Sequence, residues 1–279
     1  MSGNSGIDSY GISHPTPPSA REVNMPPIRL ARLFGTTICL CVTVSALGQS
    51  LHVNGPGKTP AQALTELGID LSDPSLVHEL SNTNPKVRRL AASQLQATHY
   101  ADTSDAVDVT HAIEHALSIE EDPLTRVSLA TSLAGLHDPE GIKHLQTMCI
   151  DASMPIRVLI SAAQSLQIFK ASNAGCIDVL LDDLTNDRDK DYRDTTITLF
   201  PALYRQSTPQ QAARIVTTIE SLLADRNEGP SVRIRAGEAL AAIGSPSSAD
   251  VLAEAISQEQ NPVLKASLER NLHALEKKP

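Results

Sequence analysis

The same helix opening recurs six times from residue 84 to the end of this chain, and it limits the fold more than any other feature. Asn84-Pro85-Lys86-Val87-Arg88, Asp122-Pro123-Leu124-Thr125-Arg126, Gly229-Pro230-Ser231-Val232-Arg233 and Asn261-Pro262-Val263-Leu264-Lys265 each lead into a long amphipathic run. Met154-Pro155-Ile156-Arg157 is one residue shorter, and Asp189-Lys190-Asp191-Tyr192-Arg193 lacks the proline but keeps the aligned cation. An Asn or Asp at the cap accepts a hydrogen bond from an unpaired first-turn amide, and a proline in the first turn has no amide to satisfy. The aligned cations are 31 to 40 residues apart, the period of a helix pair.

Each opening predicts one buried face. The residues just before the cation and four positions further on are Val87 and Ala91, Thr125 and Leu129, Ile156 and Ile160, Tyr192 and Thr196, Val232 and Ala236, Leu264 and Leu268. Seven and ten positions after the cation come Leu95, then Leu133 with Leu136, Phe200 with Leu203, Leu240 with Ile243, and Leu272 with Leu275. This is helical periodicity. The third copy departs, with Gln164 and Gln167 on the stripe and Leu166 beside it. Between copies lie shorter amphipathic segments, from Asp73, Asp105, Asp138, Asn173, Thr208 and Ser245, most opening on a turn or cap signal. The prediction is an all-α chain, an α-solenoid of about six helical hairpins, with a kink at Pro201 and a mobile charged loop over residues 186–191.

The pattern N/D-P-x-V-R, a small aliphatic helix, then G-x-P and a second helix resembles HEAT repeats over about residues 71–275. Gly229 to Ile256 carries the clearest copy and Asp122 to Leu145 the next. The resemblance implies a curved stack of hairpins that binds a protein or peptide on its inner face, a scaffold or adaptor rather than an enzyme, with no cofactor. HEAT-like repeats also occur in chromophore lyases, but few aromatics are present to line a pigment pocket.

Composition agrees with helices packed on helices. There is no Trp, with four Tyr and three Phe, so the core must be aliphatic. The 23 basic and 32 acidic residues leave a charge of −9, which repels a phosphate backbone, and no nucleic-acid partner is expected. Upstream, Arg29 and Arg32 precede an apolar stretch from Leu33 to about Ala46, and Ala46 and Gly48 present small residues before a cut at Gln49. That is the order of a secretory signal. The stretch is too short to span a bilayer, so no stable membrane span is expected after its removal. The expected organisation is 1–24 as a disordered extension or mis-assigned start, 25–48 as a signal peptide, 49–70 as a linker and first turn, and 71–279 as the repeat domain. The chain is then exported, periplasmic or extracellular. Cys149 and Cys176 read as small buried hydrophobes, with one disulfide as the alternative that such a compartment permits.

The aligned Arg88, Arg126, Arg157, Arg193, Arg233 and Lys265 are expected to be structural. Their stems cover the stripe and their heads reach carboxylates or helix-end carbonyls of adjacent repeats. Arg89 and Arg235 fall off the stripe by helical phase and are the expected exposed protein contacts. One constellation points to other chemistry. His111-Ala112-Ile113-Glu114-His115 matches the H-x-x-E-H pattern, in which two histidines one turn apart hold Zn²⁺ and the glutamate activates water. A zinc-dependent hydrolase centred on His111, Glu114 and His115 is therefore the alternative reading, and it requires a third ligand from elsewhere in the fold.

Overall fold

The structure is a computed structural model that describes residues 58–100, 106–186 and 190–277. These residues form thirteen α-helices and no strand. In chain order they are α1 (Pro60–Glu66), α2 (Asp73–Glu79), α3 (Pro85–His99), α4 (Ala106–Ile119), α5 (Pro123–Gly135), α6 (Pro139–Cys149) and α7 (Ile156–Ile168). There follow α8 (Ala174–Asn186), a short 3₁₀ turn at Lys190–Tyr192, α9 (Arg193–Tyr204), α10 (Pro209–Ala224), α11 (Pro230–Ile243), α12 (Ser248–Gln258) and α13 (Pro262–Glu276). The extension, the signal-like segment and residues 187–189 of the charged loop lie outside the described residues.

Cap chemistry sets the helix starts. Asn84, Asp122, Asp138 and Asn261 accept first-turn amides, and Thr208 with Gln211 forms a reciprocal capping box. The third copy differs because Pro155 is itself the cap residue and offers no side-chain acceptor. α7 therefore starts at Ile156, and its buried face runs through Ile156, Leu159, Ile160, Ala163 and Leu166. α9 runs through Pro201 to Tyr204. Gly244 ends α11 with a left-handed backbone (φ 82°), its amide bonded to the Leu240 carbonyl.

Odd-numbered helices from α3 to α13 pack successively as one layer, and each also packs on even-numbered neighbours. α2 packs on α4, α6 on α8, α8 on α10, and α10 on α12 in the second layer. The stripe meets in one continuous core: Ala91, Leu95, Leu129, Leu133, Phe200, Leu203, Ala236, Leu240 and Leu268 are fully enclosed. The core extends back into the stretch expected as a linker, because α1 packs on α3 and buries Ala63 and Leu64. A second capping box, Thr59 with Gln62, starts that helix.

Two devices hold the middle of the stack. Cys149, closing α6, and Cys176, in α8, are fully buried with Cα atoms 4.5 Å apart and are joined by a disulfide. Gly141 brings α6 against the backbone of α5: a Cβ there would lie 2.4 Å from the Ala134 amide nitrogen and 2.5 Å from the Ala130 carbonyl oxygen.

Gly141→Ala gains helix propensity but must push two backbones apart. It is expected to destabilise the fold by about 1–3 kcal/mol, read as a lower midpoint in denaturant unfolding. The disulfide closes a separation of 27 residues. Replacing both cysteines by alanine is expected to cost about 3 kcal/mol in the same measurement.

Candidate functional site

The aligned cations build a ladder along the helix starts of the odd layer. Arg88 takes both oxygens of Glu120, from Nε and Nη2 at 2.6 Å each, and donates from Nη1 to the Asn82 carbonyl at 2.7 Å. Arg193 pairs with Glu228 and donates to the Leu184 carbonyl in the last turns of α8 at 2.9 Å. Arg233 pairs with Glu259 at 2.5 Å and donates to the Leu223 carbonyl near the end of α10 at 3.0 Å. Each filled rung joins an arginine to a glutamate in the loop before the next odd helix. Two of them also serve carbonyls that a helix C-terminus leaves unpaired.

The glutamates do double duty. Glu120 accepts the amide of Asp122, and Glu259 accepts the amides of Gln260 and Asn261. The Asn261 amide holds the Glu259 carboxyl below its ordinary value against the opposing effect of burial, and Arg233 adds to the pull. Sequence reasoning named the arginines and missed these acids. Their signal was an acid two or three residues ahead of a helix-opening proline: Glu120 before Pro123, Glu228 before Pro230, Glu259 before Pro262.

The remaining cations differ. Arg126 is half-buried and its Nε has no acceptor. Arg157 is exposed and in no ion pair among the described residues, and Lys265 in α13 is half-buried. Arg89 does not fit the exposed contact expected of it. Its side chain keeps only 15% exposure and reaches across to α5, where Nη1 donates to Asp122 at 3.2 Å and Thr125 Oγ1 at 3.0 Å. A long stem overrides helical phase. Burial lowers the Arg89 pKa; Asp122 opposes that, while Arg88 and Arg157 add repulsion. Arg235 does face solvent, paired with Glu238 one turn on at 2.7 Å.

On α4, His111 and His115 are exposed and Glu114 is half-buried. Glu114 faces Asp138, the cap of α6. Burial raises its pKa first, then the Asp138 charge and their shared hydrogen bond, with His111 pulling the other way. Among the described residues, no group of three His, Cys, Asp or Glu side chains could hold a metal. Two groups that could have served as a third ligand are engaged elsewhere, Glu120 with Arg88 and His99 with Asp73 at 2.8 Å.

Glu259→Gln leaves Arg233 facing a neutral group in a buried site, an expected loss of about 2–3 kcal/mol at pH 7. The Glu259 carboxyl titrates below its ordinary value, so its contribution is present above that value and disappears as pH falls through the native pKa. Unfolding midpoints at pH 7 and pH 3 check this. Arg214→Ala, which removes exposed pairs with Asp178 and Asp182, should cost less than about 1 kcal/mol. Glu114 carries the opposite sign: its contribution is fullest at low pH and is lost as pH rises through its raised pKa. Glu114→Gln should therefore gain in melting temperature relative to the parent as pH goes from 4 to 8.

The HEAT-repeat family matches residues 177–273, which span α8 to α13. No curated protein matches the chain. A solved structure, human deoxyhypusine hydroxylase in complex with glycerol, is 21% identical, with 84% of this chain and 90% of that chain covered at a TM-score of 0.38. The expectation that the chain is not an enzyme does not stand, because this similar protein is itself an enzyme. At that TM-score the likeness gives this chain no activity either. The repeated openings, the two-layer stack and the family match agree over residues 177–273, and this stretch of the chain is built of HEAT-type repeats.

Proposed function

We propose that the chain is an exported scaffold that holds a protein or peptide partner on the surface of its helical stack. The carrying observation is the stack itself. From α2 to α13 the apolar stripe and the filled arginine rungs are consumed by neighbour-to-neighbour packing, which presents a long row of helix ends and outer faces to solvent. HEAT repeats commonly mediate protein interactions, and specificity on such a surface resides in scattered side chains. Arg235 is one of them.

Export is supported by two independent features. One is the basic, apolar, small-residue order over 25–48. The other is the buried disulfide, a bond that persists in oxidising compartments.

The test is capture from the cells that make the protein, with the full chain as bait and a photo-crosslinker on the exposed surface of α11. One stoichiometric protein partner, weakened by Arg235→Glu, is the expected result, on a chain that begins at Gln49 and whose Cys149 and Cys176 alkylate only after reduction. A chain that retains its first 48 residues and has free thiols overturns export. Failure to recover any partner at stoichiometry overturns the scaffold.

A further inference from the structure

Among the described residues, successive even-numbered helices from α2 to α12 pack on one another with one exception: α4 does not pack on α6. His111 and His115 stand on the outer face of α4, one helical turn apart and both exposed. Neither ring is held by a hydrogen bond or an ion pair among the described residues. The face reads the same from either end. Ile113 is fully buried and marks the middle of the helix on its core side; His111 and His115 lie two positions to either side of it, and Val107 and Ile119 lie six. Those two large apolar side chains are 55% and 64% exposed. Two copies of such a face, antiparallel about a twofold axis at the level of Ile113, set each His111 opposite a His115 and each Val107 beside an Ile119.

Charge decides what joins them. Asp108 is exposed on the same face, and Glu114 lies at its edge, where Asp138 and Glu140 are near enough to act on it. Two such faces brought together bare repel one another, in a chain whose net charge is −9. A divalent cation reverses the sign of that encounter. Two imidazoles one turn apart chelate a metal that favours nitrogen, and Zn²⁺ takes four ligands in a tetrahedron. The described residues of one chain bring no third ligand to the pair. A second copy brings two.

We infer that His111 and His115 are half of a Zn²⁺ site that the same two residues of a second copy complete, so that zinc joins two chains through α4. The ion is structural. Its four positions are taken by imidazole, which leaves none for the water that a hydrolase would activate. The flanking Val107 and Ile119 cover the site at either end once the two faces meet. This goes beyond the scaffold reading and does not depend on it, since a scaffold holds its partner as one chain or as two.

The test takes the full chain, stripped of metal with EDTA and desalted, through sedimentation velocity at neutral pH with ZnCl₂ added stepwise, and measures the zinc carried by the sedimenting species. The mass should double, with one zinc for two chains, and return to that of the single chain on adding EDTA. Mg²⁺, which prefers oxygen ligands, should leave the chain single. His111→Ala and His115→Ala should each lose the doubling at unchanged melting temperature, which separates a lost ligand from a lost fold. His273→Ala, at an exposed histidine of α13, should double as the parent does. Ile119→Ser should raise the chain concentration at half-dimerisation by about five-fold or more. A chain that stays single in zinc, one zinc held by each single chain, a dimer that survives EDTA, or doubling retained by either α4 histidine variant overturns the inference.

Discussion

A helical hairpin of this chain cannot cover its own apolar face, and the architecture follows from how that deficit is met. Leu95, Leu129, Leu133, Phe200 and Leu240 are each fully enclosed, and every helix that carries one packs on the helix two places along in its own layer as well as on its neighbours in the other. Stability is therefore shared between neighbours, and no repeat is an independent unit. Apolar contact alone is tolerant of sliding. The Arg88, Arg193 and Arg233 rungs supply what it lacks, since each guanidinium meets a glutamate in the loop before the next helix of its layer. Buried ion pairs add little net stability, but losing one partner is costly, which makes them suited to fixing register between repeats.

Most of this was legible in the sequence because the signal was repeated. The buried face of α5 can be counted off from Arg126, and that of α11 from Arg233, by adding three and four. Where the reading slipped, the reason is local. The third stripe moved because Pro155 took the cap position and shifted the start of α7. α1 was read only as a linker and first turn although Thr59 and Gln62 carry a capping box, since flanking Pro and Gly gave that stretch the look of a linker. Arg89 was placed outside by helical phase, which locates a Cβ but not a guanidinium several bonds away that finds Asp122 and Thr125 on the next helix.

The histidine motif on α4 shows why a local pattern needs its surroundings. The spacing of His111, Glu114 and His115 is compatible with a metal, and Glu114 does have a raised pKa, a common mark of functional sites. Yet that shift has ordinary causes, partial burial and a second carboxylate at the cap of α6. Converging ligands depend on which helices abut, and that is tertiary information. The arginine ladder is informative for the same reason. Its filled rungs pair an arginine on one helix with a glutamate that lies more than twenty residues away, a pairing that only the packing of the helices reveals.

The disulfide between α6 and α8 changes how the stack bears load. The residues between Cys149 and Cys176 include the whole of α7. If the two ends of the protein are pulled apart, tension passes through the sulfur bridge and bypasses that loop, withholding roughly 90 Å of extended chain from the unravelling. Flanking repeats can be peeled away while α7 carries no force. A cargo held on α7 would sit on a part of the stack that the bridge shields from stretching.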